Sequence, residues 1–163
     1  MNWPRRAPLF LLLGFAACGY TFGSGLPEQG VHTICLEVVG NDTWRQRLEG
    51  ELSAALSREL YTSTDLLPAD HATADAILQV SLTSERERTL VPGGRNDPVR
   101  EGAQEAAVHL RLLSHRTGKV LLERDLLDRA EFRDPIGEDL RSARAELVRD
   151  LARKIALALA AGF

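Results

Sequence analysis

The stretch "AILQVSLTSERERTL" (Ala76–Leu90) changes character half-way along, and the fold turns on how that change is read. Ala76, Leu78, Val80 and Leu82 recur at every second position, the period of a strand with one face on a core. From Ser84 the apolar beat stops, but the alternation goes on as Glu85 and Glu87 against Arg86 and Arg88. A strand that keeps its period after losing its apolar face is expected to project beyond the core. "VPGGRNDP" (Val91–Pro98) then supplies the residues of a turn-forming loop.

Working outward, "VHTICLEVV" (Val31–Val39) places Ile34, Leu36 and Val38 against Thr33, Cys35 and Glu37, which predicts a strand. Val108, Leu110 and Leu112 predict another. "HRTGK" (His115–Lys119) makes a tight turn, and "KVLLERDLLDRAEF" (Lys119–Phe132) returns as the second arm of a hairpin. Two amphipathic helices complete the pattern. "GNDTWRQRLEGELSAALSREL" (Gly40–Leu60) opens with capping residues, Thr43 and Gln46 at capping-box spacing and Asn41 or Asp42 as alternatives. It then carries Trp44, Leu48, Leu52, Ala55, Leu56 and Leu60 along one face. Asp134-Pro135 predicts the second helix start, aspartate as N-cap and proline in the first turn. Its apolar stripe is Leu140, Ala143, Leu147, Leu151, Ile155, Ala158 and Leu159, and Gly162 ends it. The order βαβββα predicts an α+β two-layer sandwich: a four-stranded, mostly antiparallel mixed sheet with both helices on one face. Pairing of the first two strands, if parallel, would make the first helix a crossover, and the last three strands should run antiparallel.

The N-terminus carries a different kind of signal. Arg5 and Arg6 precede an apolar run, Ala7–Ala17, that is shorter than the ~20 residues needed to span a bilayer. It fits the h-region of a secretory signal. "FAACGY" (Phe15–Tyr20) ends it with two alanines and a cysteine, the order of a bacterial lipobox, although Phe15 stands where leucine is usual. The expected organisation is a lipoprotein signal peptide over 1–17, a flexible tether over 18–30 and a single α+β domain over 31–163. By this resemblance Cys18 becomes the first residue and is lipidated on sulfur, with an acylated amine. One acyl chain holds a protein to a membrane only marginally, while two hold it stably. Gly19 sits where aspartate would resemble an inner-membrane retention signal, so delivery to the outer membrane is expected. The other readings are an ordinary cleaved signal and an uncleaved anchor. The remaining cysteine, Cys35, is either a thiol on a strand or the partner of Cys18 in a disulfide.

Composition excludes more than it selects. The chain has 20 Lys and Arg against 23 Asp and Glu, a formal charge of −3, and loss of Arg5 and Arg6 makes it two units more negative. That is a poor balance for binding nucleic acid, and none is expected as a partner. No Gly-rich phosphate loop, HExxH, CxxC or G-x-S-x-G is present. His109 and His115 share strand parity but sit roughly 20 Å apart along a strand at ~3.3 Å per residue. Asp65, Asp70, His71 and Asp75 lack the spacing of any common metal site and read as loop residues. No catalytic residue, metal or cofactor is expected. The one patch worth naming is Arg86, Arg88, Arg95 and Arg100, a candidate ligand or partner surface. Arginine grips phosphates and carboxylates bidentately, yet Glu85, Glu87, Asp97 and Glu101 offset the charge locally.

Cys18, Gly19, Tyr20, Gly23 and Pro27, in "CGYTFGSGLP" directly after the lipobox, followed by a strand and by "NDT" opening a helix, resemble the LptE family of lipopolysaccharide-assembly lipoproteins. Ala74-Asp75 before the second strand and the "TGK" hairpin add to the resemblance. It implies a non-enzymatic lipoprotein held by its lipid at the periplasmic face of the outer membrane. It also implies that the chain assists assembly of the LptD β-barrel, plugs it, and contacts lipopolysaccharide on its way to the cell surface. A CsgG-like or LpoB-like periplasmic module, serving secretion or peptidoglycan synthase activation, shares the Asn-x-Thr helix start. The C-terminal strand–hairpin–helix order and the short Gly-Tyr tether favour LptE.

Overall fold

The computed structural model describes residues 26–27, 30–44, 48–95 and 99–161. The expected signal peptide, Cys18 and all of the tether except residues 26, 27 and 30 lie outside them, as do Gln46 and Gly162. The elements run β1 (Thr33–Leu36), β2 (Gly40–Asn41), α1 (Leu48–Ser63), β3 (Leu67–Pro68), β4 (Ala76–Pro92), β5 (Val99–Ser114), β6 (Val120–Arg133), a 3₁₀ turn (Asp134–Ile136) and α2 (Leu140–Ala161). The sheet is mixed, in the order β3-β1-β4-β5-β6, with β2 continuing beside β4. The class is the expected α+β. The sheet has six strands rather than four, because β2 and β3 are two-residue pieces too short to show a period.

The alternation of β4 does what its sequence requires. Ala76, Leu78, Val80 and Leu82 are buried, and Leu78, Val80 and Leu82 lie opposite Leu112, Leu110 and Val108 of β5. Leu122 on β6 continues the layer. Leu48, Leu52, Leu56 and Leu60 of α1 and Ala143, Leu147, Leu151, Ile155 and Leu159 of α2 close over that one face as a single core. The other face carries no helix among the described residues. β1 pairs with β4 in parallel, Cys35 opposite Ile77, so α1 lies within a crossover connection, while β4, β5 and β6 form an antiparallel meander.

β5 is the largest departure from expectation. It starts at Val99 rather than near Val108, and "VREGAQEA" has neither apolar period nor strand-forming composition. It is held as a strand because β4 and β6 bond it on both sides. Its small residues have work to do there: Phe132 of β6 lies over Gly102, where any Cβ would collide with the ring.

Three expected core residues are exposed. Trp44 precedes α1 (Leu48–Ser63), and its side chain stands fully in solvent. Val38 is 83% exposed because residues 37–39 between β1 and β2 stand against only Gln79 and Val80 on β4, Leu36 lying opposite Leu78 and Gly40 opposite Ser81, so the alternation slips by one. Val39 takes the buried place, and Leu36 packs only at the margin of the core. Leu140, at the first position of α2, is also exposed. The start of α2 differs as well. Asp134-Pro135 makes the 3₁₀ turn, closed by Gly137 at φ 84° donating its N–H to the Asp134 carbonyl at 2.9 Å. The cap belongs to Asp139. Its Oδ1 accepts the Ser142 N–H at 2.8 Å, and Ser142 Oγ accepts the Asp139 N–H at 3.0 Å, a reciprocal capping pair.

Near the domain base, Asp75 joins the starts of β1 and β4. Its Oδ2 accepts the His32 N–H at 3.0 Å, the Thr33 N–H at 2.9 Å and the Thr33 hydroxyl at 2.8 Å. The Asp75 N–H donates back to Thr33 Oγ1 at 2.9 Å. These bonds, led by the His32 N–H and then the Thr33 hydroxyl, hold the carboxyl below its ordinary pKa.

Candidate partner-binding surface

Pairing of β1 and β2 along β4 ends at Leu82, and the rest of β4 runs on with β5 as its partner. At that point the ladder slips. Leu82 lies opposite Val108, yet Ser84 lies opposite Ala107, so Thr83 is an extra residue on β4. Its hydroxyl donates to the Ala107 carbonyl at 3.2 Å. A single inserted residue exchanges the two faces of everything that follows. Without it, Arg86 and Arg88 would continue the face of Leu78 and Leu82 toward the helices. With it, they join the open face, opposite Glu105 and Ala103, while Glu85 and Glu87 turn to the helix side.

Side-chain bonds agree with that assignment. On the open face, Arg88 Nε donates to Glu105 Oε2 at 3.0 Å, Arg129 Nη1 approaches Glu105 Oε1 at 3.8 Å, and Arg129 Nη2 reaches Glu131 at 2.7 Å. Further toward the base, His109 sits between Asp125 at 2.7 Å and Glu123 at 3.1 Å, with Arg111 3.5 Å from Glu123. The Asp125 hydrogen bond foremost raises the His109 pKa. On the helix side, Gln104 is buried and donates from Nε2 to Glu85 Oε1 at 2.7 Å. The open face is therefore a lattice of alternating charge built on three adjacent strands.

Of the four arginines predicted as a patch, this arrangement brings only Arg86 and Arg88 onto one face. Arg95 lies in the turn, and Arg100 falls in the irregular end of the ladder between the Val91–Glu101 and Pro92–Val99 pairs. Both are exposed. Arg129, which nothing in the spacing of residues singles out, belongs to the same surface through its place on β6. Its signal would have been strand parity, with register known.

The remaining candidates are scattered among structural roles. Asp75 is the staple described above. His71 Nε2 is 3.7 Å from Glu37, and its ring meets that of His115 edge-on at 5.4 Å, while His115 Nδ1 bonds the Ala74 carbonyl. Among the described residues, no group of His, Cys, Asp and Glu is arranged to hold a metal ion. Cys35 is a half-buried free thiol whose pKa is pushed up, first by burial and then by Glu37 and Asp70. It borders a pocket of about 310 Å³ between β1, β3 and α1, lined by Ile34, Leu36, Leu60 and Leu66. No helix among the described residues is long and apolar enough to cross a membrane.

The lipopolysaccharide-assembly family LptE has a family model that matches residues 31–159, nearly the whole domain. The chain belongs to the LptE family. LptE proteins are non-enzymatic lipoproteins of lipopolysaccharide assembly. Three solved structures share the LptE-like fold seen here. The hypothetical protein CT253 of Chlamydia trachomatis is 15% identical, with a TM-score of 0.55 over 79% of this chain and 98% of its own. A PelC dodecamer subunit of Paraburkholderia phytofirmans is 15% identical, with a TM-score of 0.57 over 80% and 89%. A candidate lipoprotein of Caulobacter crescentus is 16% identical, with a TM-score of 0.56 over 84% and 95%. At these identities the likeness is one of fold. No curated protein matches the chain.

Proposed function

We propose that this chain is an outer-membrane lipoprotein, anchored through acylated Cys18, that plugs and assists assembly of an LptD β-barrel and contacts lipopolysaccharide during delivery. The observation that carries the reading is the LptE match over residues 31–159. The architecture supports it: one face of the sheet is sealed by helices, and the other is a broad charged surface that extends along the hairpin past the core. Such a surface suits docking against a polar barrel lumen. Arg86 and Arg88 on that face, and Arg95 in the turn beyond it, are the residues proposed to meet phosphate or carboxylate groups.

The test uses the full-length chain expressed with its membrane. Mass spectrometry should find an N-terminal peptide beginning at acylated Cys18, and affinity capture should bring down the LptD barrel. Reversal of Arg86, Arg88 and Arg95 to glutamate should weaken barrel capture or lipopolysaccharide binding while leaving the melting curve in place. Unchanged binding at unchanged stability removes these arginines from the surface. Absence of any barrel from the wild-type capture overturns the plug, and a free Cys18 thiol on the mature chain overturns the anchor.

A further inference from the structure

The chain enters the fold at the base of the domain. Leu26 is buried in the core, its carbonyl accepts the Val31 N–H at 3.0 Å, and the Gly30 N–H donates to the Pro27 carbonyl at 3.0 Å. Gly30 and Val31 then line a hollow of about 280 Å³, shared with Asp75 at the foot of β4 and with Ser114, His115 and Arg116 of the β5–β6 turn. That turn is fixed by its own backbone. Ser114 N–H donates to the Lys119 carbonyl and Gly118 N–H to the Ser114 carbonyl, both at 2.8 Å. Gly118 takes φ 68°, the left-handed region that favours glycine. His115 N–H donates to the Asp75 carbonyl at 2.8 Å and ties the turn to β4.

The charge of the turn is unlike that of the open face. There, Arg88, Arg129 and His109 each meet a carboxylate. Residues 114–120 contain no acidic residue, and the Arg116 and Lys119 side chains are exposed, without an ion pair or hydrogen bond among the described residues. Asp75, the carboxylate of the hollow, is held by the donors of His32 and Thr33. Val120, next in sequence, leaves an apolar side chain in solvent beside them. Two unpaired cations and an apolar group on a fixed turn fit the headgroup layer of an anionic membrane.

We propose that the turn Ser114–Val120 is a second membrane contact, seating the base of the domain on anionic phospholipid of the leaflet that holds the lipid; this rests on the Cys18 anchor proposed above. The length of the chain selects this end of the molecule. Cys18 is eight residues before Leu26, a reach of no more than about 29 Å at full extension. Arg95, in the turn at the far end of the 17-residue β4, stands roughly 50 Å from the base at the rise of a strand. Free in solution, two cations would hold a protein to a bilayer only weakly, since each adds about fivefold in binding. Tethered, they act at a high effective concentration, so the contact forms without a deep site. Seated this way, the domain keeps the far end of the β4–β5 hairpin clear of the lipid and open to a partner.

Lys119 and Lys154 are the two lysines of the chain, so the reporter groups are native. Lys154 pairs with Asp128 and the Leu127 carbonyl, about 23 Å along β6 from Val120, and serves as the reference. The full-length lipidated chain is placed in vesicles of phosphatidylcholine, or of phosphatidylcholine mixed equally with phosphatidylglycerol, and amine acetylation is followed by mass spectrometry. Relative to Lys154, acetylation of Lys119 should slow by about fivefold or more in the anionic vesicles, the scale of one basic group at such a surface. Arg116→Glu should return the rate to that in phosphatidylcholine at an unchanged melting temperature, and raised salt should do the same. Arg95→Glu, equal in charge but at the far turn, should leave the protection in place. No protection of Lys119 on an anchored wild-type chain overturns the contact and leaves the anchor standing. Protection that also appears in phosphatidylcholine, survives Arg116→Glu or is lost in Arg95→Glu overturns the turn as a cationic contact. A wild-type chain that floats with neither vesicle removes the anchor and this proposal with it.

Discussion

Asp75 shows how one side chain can organise a junction between elements distant in sequence. It satisfies two backbone donors and one hydroxyl at the start of β1, and its own N–H is satisfied by the residue it holds. Asp75→Ala should lower unfolding stability by about 1–3 kcal/mol at neutral pH, the cost of leaving such donors unmatched. The pH dependence has a definite sign. Because the folded carboxyl has the lower pKa, its contribution is fully present above the unfolded value and disappears as pH falls through the folded one. Urea titrations at pH 7 and pH 3 should show a gap between wild type and Asp75→Asn that narrows at the lower pH. An equal gap at both would mean that the charge of Asp75 does not stabilise the junction. His109 has the opposite sign: raised by Asp125, its protonated form contributes below the unfolded pKa and is lost as pH rises through the folded one.

Among the elements, α1 offers the sharpest contrast between a face predicted and a face used. Leu52 is wholly buried beneath it, whereas Trp44, assigned to the same stripe from its spacing, is wholly exposed. Leu52→Ala should cost about 2–5 kcal/mol by chemical denaturation. Trp44→Ala should cost under about 0.5 kcal/mol, as for an ordinary surface residue. Comparable losses would mean that the helix begins earlier and packs with Trp44. The spacing rule identified the strand Ala76–Leu82, the helix bodies and the hairpin turn because their apolar side chains face a single core. It could not place Trp44 or Leu140, since period alone does not tell where a helix starts. It was silent over Val99–Ala107, where alanine, glycine and glutamate are held in a strand by neighbours on both sides. For the candidate surface, the arginines were legible as a cluster in sequence. Their division between faces was not, because it depends on Thr83, whose insertion is visible only once β4 has a partner.

At the scale of the whole molecule, the sheet is sealed by helices on one face and carries a lattice of alternating charge on the other. The parallel pairing of β1 with β4 has a separate consequence, for the order of assembly. β4, β5 and β6 are joined by short connections, so their pairing closes small loops. β1 reaches β4 only after α1 and the chain up to Ala76 have been laid down. Closing that longer loop costs more entropy before any contact rewards it. The meander with α2 is therefore expected to form the folding nucleus, and the β1–α1 unit to dock late. In stopped-flow kinetics, Asp75→Ala should then act mainly by speeding unfolding, while Leu110→Ala should slow folding. The β1–α1 unit would thus be the last part of the domain to be secured and the first to be released.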